Sequence, residues 1–167
     1  MNPTRYFYLD ASALAKRYAP EIGSQIVDHL FARLTPDRLI VLNVGIAEVV
    51  SILVRKHNTG KLSAGDFSQA LLELRTEVTT AAAIKKAAAD TPLVISSFPI
   101  IIQHSINATD AILLYTAIDF AIDYRARGDD LALVASDQRL LRAAQAEGLT
   151  VFNPETQTTA DLDLLLV

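Results

Sequence analysis

The fold class is decided by the stretch Leu131-Ala-Leu-Val-Ala135, which is followed by Ser136 and Asp137. An uninterrupted apolar run of this length predicts a strand that is buried on both faces of a sheet. Helical patterns lie on both sides of this strand, at Asn107–Arg127 and at Gln138–Glu147, and a glycine follows each of them. A buried strand between two helices is typical of α/β folds, in which helices cover both faces of a parallel sheet.

The same alternation continues along the rest of the chain. Further apolar runs predict strands at Arg5–Leu9, Leu39–Leu42 and Thr150–Phe152. Apolar spacing and helix propensity predict helices at Ala11–Tyr18, Ser24–Leu34 and Val44–His57, and a mostly helical segment over Ser63–Ala89. The run Leu93–Ser96 fits either a short strand or a helix. No linker or repeat divides the sequence, so we expect a single α/β domain over residues 1–167, with a helical insertion at about 63–90.

The composition excludes several kinds of site and location. The 167 residues include no Cys, which excludes a disulfide framework, a thiol nucleophile and a Cys-ligated zinc or iron–sulfur site. The apolar stretches are too short or too interrupted for a membrane span, and the first residues lack the pattern of a secretion signal. We therefore expect a cytoplasmic protein. The formal net charge of −4 argues against tight binding of nucleic acid, because phosphate affinity comes mostly from clustered Lys and Arg.

Four carboxylates fall at or near one edge of the predicted sheet. Asp10 ends the first strand, Glu48 lies on the apolar helix after the second strand, Asp110 opens the long helix, and Asp137 follows the late strand. The carboxyl ends of parallel strands share an edge, so we expect these side chains to lie in one cleft. Crowded carboxylates repel one another unless they are neutralised, and Mg²⁺ and Mn²⁺ prefer oxygen ligands. Such ions can activate a water molecule for attack on a phosphodiester.

Each of these positions also has a purely structural interpretation. Asp110 follows Asn107 at the spacing of a helix cap, and either Ser136 or Asp137 could cap the next helix. Ser12 also stands at a helix start. Glu48 is the hardest to explain structurally, because a carboxylate within an apolar stretch is costly unless it is paired or bound to a cation.

Several segments, taken in order, resemble the motifs of a known family. The opening Tyr8-Leu-Asp-Ala-Ser-Ala-Leu-Ala-Lys-Arg-Tyr18 is similar to the start of PIN-domain proteins, specifically of the VapC-type toxins of toxin–antitoxin pairs. The later segments that resemble this family are Ile46-Ala-Glu-Val-Val50, Asn107-Ala-Thr-Asp-Ala-Ile-Leu-Leu-Tyr-Thr-Ala117, Leu133-Val-Ala-Ser-Asp-Gln-Arg-Leu140 and Ala146-Glu-Gly-Leu-Thr-Val-Phe-Asn-Pro154. The resemblance covers roughly residues 6–154.

This resemblance implies a Mg²⁺- or Mn²⁺-dependent endoribonuclease that acts as the toxin of a type II pair. The four acids would hold the metal and carry the catalysis, and a water activated by the metal would cleave RNA to leave a 5′-phosphate. Ser12, Ser136 and Asn107 would orient the metal ligands or the metal-bound waters without binding the metal themselves. The family also implies a homodimer and a cognate antitoxin. Two bound divalent ions would cancel the charge of the four carboxylates, so the net charge of −4 does not exclude an RNA substrate.

Basic residues near the first two acids are candidates for RNA contacts. They are Lys16, Arg17, Arg55 and Lys56. Two other functions remain open from the sequence: a PIN-domain nuclease of RNA processing without an antitoxin, and a non-catalytic Mg²⁺-binding α/β module. A phospho-acceptor module of the latter kind needs a Lys at the end of a late strand, and this chain has no Lys after Lys86.

Overall fold

A five-stranded sheet forms the centre of the molecule. The computed structural model describes residues 3–167, so the first two residues of the expected 1–167 domain lie outside the described part. The strands are β1 (Arg5–Leu9), β2 (Leu39–Leu42), β3 (Lys85–Ala87), β4 (Asp130–Val134) and β5 (Thr150–Phe152). All their pairings are parallel, in the order β3-β2-β1-β4-β5. The predicted parallel sheet is confirmed.

The central strand, β1, aligns the ends of its two neighbours. Leu9 is paired with Val41 of β2 and with Val134 of β4. The backbone N–H of Asp10 donates a 2.9 Å hydrogen bond to the carbonyl of Val134, which extends this register one residue beyond the strand. The segments that follow β1, β2 and β4 therefore leave the sheet at nearly the same level, along its carboxyl edge.

Helices cover both faces of the sheet. In chain order they are α1 (Ala11–Leu14), α2 (Ser24–Arg33), α3 (Asn43–Asn58), α4 (Ala64–Leu74), α5 (Thr91–Ser96), α6 (Phe98–His104), α7 (Ala108–Arg125), α8 (Gln138–Ala146) and α9 (Thr159–Leu166). Helices α1–α4 and α9 pack on one face, and α5–α8 pack on the other. Phe7 and Leu9 contact the first set while Tyr8, between them, contacts the second. All four positions of β2 and the last four of β4 are therefore buried, which explains the uninterrupted apolar runs there.

Helix α7 is long and apolar because it is enclosed by the rest of the fold. It has 18 residues, and those buried within the second core include Ala111, Leu114 and Ala121. Among residues 3–167, no single helix has both the length and the apolar composition that crossing a membrane requires. The segment Thr91–His104 reaches them only together with α7, across a bend of 106°.

The structure corrects one prediction about secondary structure and decides one that the sequence left open. The segment Ser63–Ala89 is helical only in its first part, where α4 continues into a π-helical turn at Arg75–Thr79. Its second part contains β3, an edge strand that pairs only with β2. The sequence did not indicate this strand because an edge strand has one neighbour to pack against, and only Ala87 of its three residues is buried. The run Leu93–Ser96 belongs to a helix, α5, whose first turn is capped by Asp90.

Candidate active site

All four predicted acids line one cavity at the carboxyl edge of the sheet. The cavity has a volume of about 410 Å³ and is formed by the starts of α1, α7 and α8 and by the side of α3. The residues that line it are Asp10, Ala11, Ser12, Glu48, Ser51, Ile52, Arg55, Asn107, Asp110 and Asp137. We call it the acidic cavity. The structure thus brings together side chains that lie as much as 127 positions apart in the sequence.

Asp10 is the most buried of the four acids, with 6% of its surface exposed. It caps the N-terminus of α1, and its Oδ2 accepts hydrogen bonds from the backbone N–H of Ser12 at 3.0 Å and from the Ser12 hydroxyl at 2.5 Å. Burial raises the pKa of Asp10, and the charge of Asp137 raises it further, while the bonds from Ser12 oppose this shift. The Asp10 carboxylate is therefore held in position by hydrogen bonds. A nearby cation would stabilise its negative charge.

Glu48 lies on α3 and is half-buried. Burial raises the pKa of its carboxyl, and the nearby charge of Asp10 adds to this shift. Arg55 lies about two helical turns further along the same helix, and its charge lowers the pKa of Glu48. The acid that fitted worst in an apolar helix is thus directed into the cavity rather than into the core.

Asp110 and Asn107 hold each other at the start of α7. The Asn107 side chain accepts a hydrogen bond from the backbone N–H of Asp110 at 2.9 Å and donates one to Asp110 Oδ2 at 2.7 Å. Burial and then the charges of Asp10, Asp137 and Glu48 raise the pKa of Asp110 to about 7, and Arg139 opposes them. The capping interpretation is correct for Asn107, and it does not compete with a place for Asp110 in the cavity.

Asp137 also combines a cap with a position in the cavity. Its Oδ1 accepts hydrogen bonds from the backbone N–H groups of Arg139, at 2.8 Å, and Leu140, at 3.1 Å, at the start of α8. The neighbouring Ser136 donates its backbone N–H to the hydroxyl oxygen of Ser12 at 3.2 Å. The hydroxyl of Ser136 is buried and has no hydrogen-bond partner within residues 3–167.

The chemistry of these side chains fits a divalent cation of the Mg²⁺ or Mn²⁺ type. All four acids offer oxygen donors, and in the part of the chain described here none of them forms an ion pair with a Lys, Arg or His. Burial, and then the charges of the neighbouring acids, raise the pKa values of Asp10, Glu48 and Asp110. No three of the described His, Asp or Glu side chains already converge on a single ion position. Binding would therefore require a movement of the side chains toward the cation.

Lys16 and Lys56 are engaged with carboxylates away from the acidic cavity. Lys16 is 3% exposed, and its Nζ lies 3.1 Å from Glu21 Oε1 and 2.6 Å from Glu155 Oε1. Lys56 pairs with the other carboxylate oxygen of Glu21. These ion pairs engage both ammonium groups with carboxylates, and the role of Lys16 and Lys56 as RNA contacts stays a prediction.

Arg17 is likewise held by two acids, and only Arg55 of the four basic candidates lines the cavity. The Arg17 guanidinium lies 2.7 Å from Asp28 Oδ1 and 2.9 Å from Glu77 Oε1, and its role as an RNA contact likewise stays a prediction. Arg55 is exposed and borders the acidic cavity. Sequence reasoning missed Arg139, whose charge lowers the pKa of Asp110. Its position two residues after Asp137 is the signal that could have indicated it.

Comparison with known proteins relates the chain to others through its fold. No protein-family model and no curated protein matches its sequence. Among solved structures, PAE2754 from Pyrobaculum aerophilum is similar with a TM-score of 0.64 and 20% identity, over 96% of this chain and 98% of that one. FitAB bound to an IR36 DNA fragment is similar with a TM-score of 0.65 and 16% identity, over 91% and 97%.

A third structure is Mycobacterium tuberculosis VapC20, described as a toxin that cleaves the sarcin–ricin loop. It is similar with a TM-score of 0.59 and 15% identity, over 82% of this chain and 94% of that one. The two proteins share a fold. The resemblance to VapC-type PIN-domain proteins that the sequence predicts is therefore confirmed at the level of the fold, with its central parallel sheet between two layers of helices.

Proposed function

We propose that the protein is a Mg²⁺- or Mn²⁺-dependent endoribonuclease. The observation that carries the proposal is the acidic cavity, where four carboxylates without ion-pair partners among the described residues meet at the carboxyl edge of a parallel sheet. This edge is where α/β folds of this type place their binding sites. The shared fold with VapC20, a toxin that cleaves an RNA loop, supports RNA as the substrate.

In this proposal, Asp10, Glu48, Asp110 and Asp137 hold the cation. When it is bound, a divalent cation activates water and stabilises the charge that develops on phosphate oxygens during hydrolysis. The chain's own residues prepare the site. Ser12 fixes the Asp10 carboxylate through two hydrogen bonds, and Asn107 fixes the Asp110 carboxylate through one. These hydrogen bonds limit the orientations that the two carboxylates can adopt as they approach a cation.

Arg55 is the cationic side chain that borders the acidic cavity on the side of α3. A guanidinium there can donate two parallel hydrogen bonds to a phosphate, which orients the RNA backbone over the acids. Its position beside Glu48 also limits the negative potential that an approaching RNA strand meets.

We further propose that the nuclease is the toxin of a toxin–antitoxin pair in the cytoplasm, with a cognate antitoxin as partner and a homodimer as its assembly. The fold shared with VapC20 supports the toxin role. A small antitoxin reading frame beside this one, whose product co-purifies with this chain, is the expected observation. A nuclease of RNA processing would lack such a neighbour.

The test of the nuclease proposal is the substitution of single acids. Asp10→Ala and Glu48→Ala should each abolish RNA cleavage and growth arrest, with losses of at least about 100-fold, because each removes a ligand of the cation. The readout is sequencing of RNA 5′ ends after induced expression. Addition of EDTA should abolish cleavage by the purified wild type.

The matched control is Asp37→Ala, because Asp37 is an exposed acid outside the cavity. It should cleave as the wild type does, and thermal melts should show that all three variants are folded. Full activity in Asp10→Ala or Glu48→Ala, or undiminished cleavage in EDTA, would contradict the proposal.

A further inference from the structure

A second cavity, with a basic lining, lies beside α8. It has a volume of about 400 Å³ and is lined by His104, Ser105, Arg139, Arg142 and Ala143. Both arginines are exposed, and neither forms an ion pair with any residue of the described range 3–167. We call it the basic cavity. Two free guanidinium groups in one concave surface form a site for an anion with several oxygens.

The back of the basic cavity is fixed by a further contact. The ring of His104 is hydrogen-bonded through Nε2 to Glu147 Oε1 at 2.6 Å, and the Gln103 side chain donates to the same oxygen at 3.1 Å. Glu147 is thus occupied by these two side chains rather than by an arginine. The contact holds the end of α6 against the end of α8, so the cavity is bounded by packed helices.

The basic and acidic cavities are built from the same two segments of chain. Residues 104–110 supply His104 and Ser105 to one cavity and Asn107 and Asp110 to the other. Residues 137–143 likewise supply Asp137 to the acidic cavity and both arginines to the basic one. The backbone N–H of Arg139 donates to Asp137, and the charge of Arg139 lowers the pKa of Asp110, so the two cavities adjoin at this point.

We propose that the basic cavity binds a phosphate of the RNA strand next to the phosphate that is cleaved, with Arg139 and Arg142 as its ligands. This inference rests on the proposed nuclease function. Arg55 borders the acidic cavity on α3, while the two arginines of the basic cavity lie beyond it on α8. A single strand whose central phosphate is over the acids would then have positive charge on both sides. This assigns the path of the strand across the sheet edge, between α3 and α8.

A nucleic-acid backbone fits the basic cavity better than an acidic peptide does. The cavity adjoins an acidic one, where the four acids repel any anion unless a cation neutralises them. An RNA strand is favoured there because the cation that the acids are proposed to hold attracts phosphate. A strand that carries a phosphate at each nucleotide can therefore place one phosphate at each of the two adjoining cavities.

The experiment compares Arg142→Gln with the matched control Arg75→Gln. Arg142 borders the basic cavity but not the acidic one, so its loss leaves the proposed metal ligands untouched. Arg75 is also an exposed arginine near a helix end, and it lies on the other face of the sheet. Both substitutions remove one positive charge, and glutamine has a helix propensity close to that of arginine.

Both changes are introduced into the Asp10→Ala chain, and fluorescence anisotropy measures binding of a labelled single-stranded RNA of about 12 nucleotides in Mg²⁺. Arg142→Gln should raise the Kd about 5- to 10-fold and lower the salt slope by about 1, because one phosphate contact is lost. Arg75→Gln should leave both quantities unchanged. In the otherwise wild-type chain, Arg142→Gln should raise KM for this RNA and leave kcat unaltered.

The outcomes separate this inference from the proposed function. Equal Kd values for Arg142→Gln and Arg75→Gln would overturn the basic subsite even if the wild type cleaves RNA normally. A wild type that cleaves no RNA, but whose RNA binding is weakened by Arg142→Gln alone, would contradict the nuclease and support the subsite. Arg142-dependent binding of an oligoglutamate peptide, with RNA binding unaffected by Arg142→Gln, would overturn the inference and assign the cavity to an acidic partner.

Discussion

Asp110 is the acid of the cavity that all three other carboxylates repel. It is half-buried, three other carboxylates act on it, and its pKa is raised to about 7. In the unfolded chain these neighbours are absent, so its pKa returns to the ordinary value near 4. The stability that protonated Asp110 contributes is therefore fully present below about pH 4 and is lost as the pH rises through about 7.

Asp110→Asn should accordingly stabilise the protein at pH 8 when no divalent cation is present. The expected gain is about 1–2 kcal/mol, after allowance for solvent screening, or a rise in Tm of about 2–8 °C. The gain should shrink as the pH falls toward 5, where the wild-type carboxyl is protonated. Thermal melts in EDTA across this pH range provide the measurement.

Asp37→Asn, at an exposed acid, is the control for the general effect of removing one charge. The sign for Asp110→Asn should reverse when saturating Mg²⁺ is added, because the variant lacks a ligand that the wild type uses. A destabilised Asp110→Asn at pH 8 in EDTA would show that the four carboxylates do not repel one another as their positions indicate.

Single residues also show where sequence reasoning reaches its limit at this site. The four acids could be predicted from their places after apolar strands and at helix starts. The ion pairs of Lys16 with Glu155 and of Arg17 with Glu77 could not be predicted, because the two partners of each pair are distant in the sequence. Ion pairs of this kind depend on the packing of α4 and of the chain after β5, which local patterns do not specify.

At the scale of elements, the three inner strands and the edge strand β5 were predictable, and the other edge strand, β3, was not. A central strand is apolar where both faces of the sheet are covered, and β2, positions 7–9 of β1 and positions 131–134 of β4 show that signature. An edge strand such as β3 is free of that requirement, and its sequence Lys85-Lys86-Ala87 is compatible with many conformations. The helix ends were predictable where a cap exists, as at Asn107 and Asp137.

The start of α2 is seated closely against the chain that follows β5. Gly23 has a φ of +90°, and a Cβ atom at this position would lie 2.7 Å from the carbonyl oxygen of Pro154. Gly23→Ala should therefore cost about 2–4 kcal/mol of unfolding free energy, from the left-handed backbone and from the clash with Pro154 together. Urea unfolding is the measurement.

Gly60→Ala separates the two causes. Gly60 has a φ of +73°, and nothing lies within 4 Å of the position of its Cβ. Its substitution should cost only the backbone strain, about 1–2 kcal/mol. Equal costs at the two positions would show that the approach of α2 to Pro154 is loose enough to absorb a methyl group.

For the whole molecule, the distribution of charge matters more than the total of −4. Removing the four acids of the cavity from the count leaves 15 acidic and 15 basic residues, so the rest of the chain is formally neutral. The acidic cavity and the basic cavity are adjacent regions of opposite sign on this background. Net charge alone therefore gives little information on the electrostatic interaction with the proposed RNA substrate.

A bound cation should stabilise the whole fold, because the four acids converge only in the folded chain. Mg²⁺ at about 100 times its Kd should add about 2.7 kcal/mol, which corresponds to a rise in Tm of about 5–10 °C. Asp10→Ala should lose most of this rise, whereas Asp37→Ala should retain it. A thermal shift titration with MgCl₂ after EDTA treatment checks both; an identical rise in all three proteins would indicate nonspecific screening by salt.

The pairing of β1 with β4 has a consequence for the order of events during synthesis. Arg5 is opposite Asp130 and Leu9 is opposite Val134. β1 therefore cannot pair with β4 until most of the chain has been synthesised. Contacts between such distant segments form late and slowly in folding. Asp137 lies beyond β4, so the four carboxylates cannot meet while the chain is short. Under the proposed function, a nascent chain would therefore lack nuclease activity for most of its time on the ribosome, which itself contains RNA.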